Sequence, residues 1–184
     1  MQVGNRDMPG VTPRAVHRLY HLIEENKSVY DVQVQAYMVE LYLDNLIDLF
    51  YKVDNPRERG EPPKLDIKKD DKGLVVIKGV TIKDCPTADS VLELFDAGNN
   101  VRHVGSTAMN ATSSRSHLVF ALLINTHNRS TKKTGTGKIS LIDLAGSERA
   151  GKTGATAERY VVHTHTRART HACSNALERA HVRA

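Results

Sequence analysis

Apolar residues first recur at helical spacing. Val16, Leu19, Tyr20 and Ile23 share one face of VTPRAVHRLYHLIEEN, which predicts a helix. Thr12 is placed to cap it, and Pro13 suits the first helical position, where a missing N–H costs nothing. The period then drops to two. Val32, Val34, Ala36 and Met38 alternate with mostly polar neighbours in DVQVQAYMVEL, the pattern of a strand. In YLDNLIDLF the residues Leu43, Leu46, Ile47 and Phe50 return to helical spacing.

Residues 52–64, KVDNPRERGEPPK, are charged and rich in proline and glycine, and read as a surface loop. LDIKKDDKGLVVIKGVTIKD reads as two short strands around a turn at Asp70–Gly73. After Pro86 a helix is expected from about Thr87, with Val91, Leu92, Leu94, Phe95 and Val101 as its apolar positions. HLVFALLINTH is a strand, NRSTKKTGTG a polar turn, and KISLIDLA a second strand. Its nearly continuous apolar character suits a strand covered on both faces. This succession predicts a mixed α/β fold. From Tyr160 the pattern stops. VVHTHTRARTHACSNALERAHVRA has no sustained period and almost no large apolar residue, so residues 161–184 are expected to be a disordered or non-native basic tail behind a domain over 1–160. His163 and His165 lie close together there, but no cysteine or carboxylate converges on them as a metal site requires.

Composition narrows the function classes. The 184 residues are 40% hydrophobic and 26% charged, ordinary values for a globular domain. The net charge is +5, and four arginines against one glutamate in 161–184 supply most of it. The remainder is close to neutral, which argues against a nucleic-acid footprint over the main body; a nucleic-acid-binding basic tail is a third and weaker competing idea. The longest apolar run, Leu118–Ile124, is far too short to span a membrane, and the N-terminus has no apolar signal-peptide core. Cys85 and Cys173 form neither a ligand spacing nor a disulfide framework, so a reducing, intracellular setting is expected. The sequons at Asn110 and Asn128 are read as chance matches.

Three segments carry candidate chemistry. NATSSRSH, Asn110–His117, is a hydroxyl-dense loop between a helix and a strand. Its hydroxyls can hold Mg²⁺ or orient water, and Arg115 can pair with a carboxylate or phosphate. LIDLAGSE, Leu141–Glu148, ends a strand at Asp143 and reaches Gly146 three residues later. Ligands of open α/β sheets sit outside the carboxyl ends of strands, and a glycine N–H can approach a phosphate closely. GSERAGKT, Gly146–Thr153, matches the phosphate-loop pattern G-x-x-x-x-G-K-[ST] after a strand. That reading would put Glu148 inside a phosphate cradle, where like charges about 4 Å apart cost on the order of 4 kcal/mol at an effective dielectric of 20. GTGKIS, at Gly135, lacks Ser or Thr after its lysine.

Taken together, HVGSTAMNATSSRSH and LIDLAGSERAGKTGA closely resemble switch I and switch II of the kinesin motor domain. PGVTPRAVHRLY is similar to the latter part of the helix after the kinesin P-loop. VQAYMVELYLDNLIDLF resembles the next strand and short helix, and GLVVIKGVTI the strand before the third major helix. The resemblance covers about residues 8–156. It implies a P-loop-NTPase-like α/β core with a mixed central sheet flanked by helices, ATP and Mg²⁺ as cofactors, and microtubules as partner. By resemblance Asn110, Ser113, Ser114 and Arg115 belong to switch I. Ser114 would help hold Mg²⁺ and Ser113 the attacking water, while Arg115 would bridge to Glu148. Asp143 would hold Mg²⁺ through water, and Gly146 would sense the γ-phosphate. GSERAGKT is then the end of switch II, and Glu148 has a partner.

The kinesin P-loop precedes PGVTPRA, and nothing before Met8 matches it. The chain is therefore expected to be a partial motor lacking the N-terminal strands and P-loop, inactive on its own; the competing expectation is a non-enzymatic remnant or interaction module. YMVELYLDNLIDLF is similar to kinesins with a C-terminal motor. A cytoplasmic, microtubule-cytoskeletal location and a homodimer of the full-length protein follow from the resemblance, with no membrane or nucleic-acid partner.

Overall fold

A computed structural model describes residues 9–42, 45–57, 62–69, 75–104 and 116–145. Its elements run α1 (Val11–Glu25), β1 (Tyr30–Tyr42), β2 (Asn45–Asp48), α2 (Leu49–Asp54), β3 (Asp66–Lys69), β4 (Val75–Lys78), β5 (Lys83–Asp84), α3 (Ala88–Val104), β6 (Ser116–Asn128) and β7 (Thr134–Asp143). The helices and strands form an α/β arrangement as expected. Residues 161–184, with His163 and His165, lie outside the described residues.

The sheet is built on two long strands. β1 pairs along its whole length with β6, from Tyr30 opposite Asn128 to Tyr42 opposite Ser116. The order is β2-β1-β6-β7, with the short β5 also on β1. Every described pair is antiparallel. Alternation then sorts the side chains. Val34, Ala36 and Met38 of β1 and Leu118, Phe120 and Leu122 of β6 bury themselves under the helices with Val16, Phe50, Val91 and Phe95. The Phe95 and Phe120 rings meet with centroids 5.1 Å apart, tilted by 56°. On the other face Tyr37, Val39 and Ala121 pack with Leu65, Ile77 and Val80, so the β3–β4 segment covers that side. Lys138 lies 5.3 Å above the Tyr37 ring.

Three sequence expectations need correction. Thr12 does not cap α1. The cap position is Gly10, which has no side chain to offer, and Thr12 is buried inside the first turn. Pro13 still lies within that turn, where no intrahelical acceptor awaits its nitrogen. The stretch around Leu46 and Ile47 is not helical. It is strand β2, with Asn45 opposite Tyr42, and the helix begins only at Leu49. Asp48 is the reason: its carboxylate accepts from the Tyr51 N–H at 3.0 Å, an N-cap that starts a helix rather than continuing one. Strand β7 is not covered on both faces. It starts at Thr134, and Ile139, Leu141 and Ile142 are only half-buried.

Helix α3 starts where the sequence places it. Thr87 and Ser90 exchange reciprocal bonds, each backbone N–H donating to the other's hydroxyl at 3.1 Å. This is a capping box with serine in the third position. The helix then lies close against β1. A Cβ on Gly98 would fall 2.3 Å from the Met38 sulfur, so a larger residue there would force that side chain to shift.

Candidate functional site

The close contact at Gly98 sets up the site. Four residues of helix rise about 6 Å, and two residues of strand advance nearly 7 Å. One step beyond the Gly98–Met38 contact therefore brings Arg102 of α3 over Glu40 of β1. Both lie on core-facing positions: Arg102 continues the face of Val91, Phe95 and Gly98, and Glu40 continues Val34, Ala36 and Met38. The sheet register adds a third group. Glu40 stands opposite Leu118, and Leu118 opposite Asp143, so the two carboxylates flank β6 on one face.

Arg102 uses all three of its nitrogens there. Nε donates to Glu40 Oε1 at 3.3 Å and Nη1 to Asp143 Oδ2 at 3.3 Å. Nη2 donates to the Ser116 hydroxyl at 3.1 Å and to its carbonyl oxygen at 3.4 Å. The Ser116 hydroxyl donates in turn to Glu40 Oε1 at 2.7 Å. Arg102, Glu40 and Ser116 are buried at 5%, 4% and 0% exposure, whereas the Asp143 side chain keeps 32%. Among the described residues no buried side-chain nitrogen or oxygen lacks a partner. Burial opposes ionisation of Asp143, and the Arg102 guanidinium bonded to it favours the ionised form. Next to it, the Ala145 N–H donates to His117 Nδ1 at 3.0 Å, tying the start of β6 to the chain leaving β7.

Of the residues singled out in the sequence, Asp143 is the one the structure describes. It stands at the carboxyl end of β7, as the sequence placed it. Asn110, Ser113, Ser114, Arg115, Gly146 and Glu148 lie outside the described residues. Arg102, Glu40 and Ser116 were missed by the sequence reading. The first two carry a signal that reaches them: opposite charges on positions whose periodicity assigns them to the core. For Mg²⁺ the donor set fits one limited role. Among the described residues no group of three or more His, Cys, Asp or Glu side chains could hold a metal. A single carboxylate shared with a guanidinium suits a contact through water, and Mg²⁺ characteristically keeps several of its waters.

A helix-covered antiparallel sheet with an acidic side chain at the end of β7 defines a mixed α/β domain. The chain belongs to the kinesin motor-domain family, whose model matches residues 1–166. It is 40% identical over 152 residues to the kinesin-like protein KIN-14I of Oryza sativa subsp. japonica, covering 83% of this chain and 12% of that one. It is 39% identical over 152 residues to KIN-14E of Arabidopsis thaliana, with coverage of 83% and 12%. Among solved structures it is similar to a fast kinesin, with a TM-score of 0.70 and 30% identity over 85% of this chain and 42% of that one. The C-terminal motor and motor homology domain of Kar3Vik1 gives a TM-score of 0.65 at 26% identity, over 83% and 37%. The chain thus spans a small part of the curated relatives it matches and less than half of the solved motor structures.

Proposed function

We propose that the chain is the nucleotide-sensing part of a motor that couples ATP hydrolysis to movement along microtubules. The observation that carries this reading is the family match over 1–166 together with Asp143 at the strand end, bonded to Arg102. The fast kinesin that it resembles is characterised by its ATPase mechanism and its interactions with microtubules. Phosphoryl transfer is largely positioning and charge stabilisation, so residues that orient are the ones to look for.

In this reading Asp143 and Ser114 hold Mg²⁺, Asp143 through water, and Asn110 contributes to the nucleotide pocket. The ion, when bound, offsets charge on the phosphates. Ser113 positions the attacking water, Gly146 meets the γ-phosphate with its backbone N–H, and Arg115 pairs with Glu148 to close the site. The partner is the microtubule, the location the cytoplasmic cytoskeleton, and the full-length protein a homodimer. The KIN-14 relatives and the C-terminal motor of Kar3Vik1 support placement near motors of that type.

The test is steady-state ATP hydrolysis by the intact protein with and without microtubules. Stimulation by microtubules is expected, and Asp143→Ala is expected to lower kcat by about 100-fold, in the range of outer-shell metal-site changes. Hydrolysis that microtubules leave unchanged would sink the motor reading. Absence of Mg·ATP binding would favour the remnant instead.

A further inference from the structure

The motor reading gives no task to Arg102, Glu40 or Ser116, yet they form the most buried polar cluster among the described residues. Their connectivity is specific. Ser116 is the residue directly after the hydroxyl-rich loop, and Asp143 stands three residues before Gly146. One guanidinium bonds to both, and its third nitrogen is held by Glu40 from the sheet interior. Glu40 is fixed in its turn by the Ser116 hydroxyl. A lysine could not do the same, because a single ammonium cannot present three nitrogens to three groups in one plane.

We propose that Arg102 is a positioning residue: with Glu40 and Ser116 it forms a buried clasp that orients the Asp143 carboxylate and anchors the ends of both switch segments to one point. The inference rests on the motor reading. The clasp acts through Asp143 and touches no substrate. Its predicted consequence is that removal of the clasp impairs what Asp143 does for Mg²⁺ and leaves the rest of nucleotide binding intact.

The experiment is an equilibrium titration of the intact protein with fluorescent ADP, once in Mg²⁺ and once in EDTA. Two variants are compared with the wild type: Arg102→Lys, and Glu40→Leu combined with Arg102→Met. The double variant replaces the buried ion pair by apolar side chains, an exchange that folds often tolerate, and thermal unfolding checks each. The wild type is expected to bind more tightly in Mg²⁺ than in EDTA. Both variants are expected to lose about 10- to 100-fold of that Mg²⁺-dependent gain, as outer-shell changes do, with affinity in EDTA within about twofold of wild type. A full Mg²⁺-dependent gain in either folded variant overturns the proposal. So does an equal loss of affinity with and without Mg²⁺, the mark of a merely structural role. If the wild type itself binds no ADP under either condition, the motor reading fails, and the clasp's role fails with it.

Discussion

Two buried carboxylates lie on the same hairpin and are satisfied in opposite ways. The register sets Asp48 of β2 opposite Val39, the neighbour of Glu40. Asp48, at 2% exposure, accepts from two backbone N–H groups, Tyr51 at 3.0 Å and Thr81 at 2.6 Å. Glu40, at 4%, accepts from side chains, those of Arg102 and Ser116. Backbone donors bind Asp48 to the local chain path: it starts α2 and pins the approach to β5. Side-chain donors bind Glu40 to a distant helix and strand, and through Arg102 to Asp143. One carboxylate builds the fold locally, while the other joins separate elements at the end of the sheet where Asp143 stands.

Arg102→Ala tests the contrast most severely. It leaves Glu40 buried beside a single hydroxyl, and breaking one partner of a buried pair costs about 3–5 kcal/mol. Chemical denaturation is expected to show a loss of that size, and the Glu40→Leu, Arg102→Met pair a smaller one. A single-variant cost below about 1 kcal/mol would mean that Glu40 is held by something other than the clasp. Asp48→Ala comes next. It removes a helix cap, worth about 1 kcal/mol, and strands the Thr81 N–H, worth about 1–3 kcal/mol more. Its stability loss should appear without any change in the Mg²⁺ dependence of ADP binding. Such a change would erase the distinction between the two carboxylates.

Gly98→Ala probes the approach that brings Arg102 to Glu40. The added methyl would meet the Met38 sulfur, which is fully buried, and overpacking of this kind costs about 1–3 kcal/mol. Because it lifts the helix one turn before Arg102, the Mg²⁺-dependent gain should fall along with stability. The smallest effect belongs to a third buried acid, Cys85, which has a backbone carbonyl beside it: its thiol donates to the Lys83 oxygen at 3.6 Å. Burial, aided by the charge of Asp84, pushes this thiol up to about 11 from an ordinary value near 9. The folded state therefore holds the proton more tightly than the unfolded one. Its contribution to stability is complete below about pH 9 and fades as pH rises toward 11. Denaturation midpoints across that window should decline in the wild type and decline less in Cys85→Ala.

Where periodicity and burial coincide, the sequence was readable. β1 followed from the alternation of Val32, Val34, Ala36 and Met38, β6 from its apolar run and α3 from helical spacing, because each turns these residues into the core. Leu46 and Ile47 misled because spacings of three and four also occur by chance across a strand and the helix after it; only the capping carboxylate of Asp48 separates the two. Thr12 misled because a threonine beside a proline resembles a cap, while Gly10 holds the cap position and Thr12 is buried within the first turn. At the site, Asp143 was legible from its place at the end of an apolar run. Arg102 and Glu40 were passed over because a charge within an apolar face reads as an interruption, and their meeting depends on a register between helix and strand that no local pattern encodes.

The sharing of one guanidinium between Glu40 and Asp143 has a geometric consequence. Glu40 and Ser116 hold two of the guanidinium nitrogens from the buried side, so they set the plane in which the third nitrogen lies. A rotation of that plane would move the donor that faces Asp143, the member of the cluster that reaches solvent, so the aim of a partly exposed carboxylate is set by side chains that never meet water.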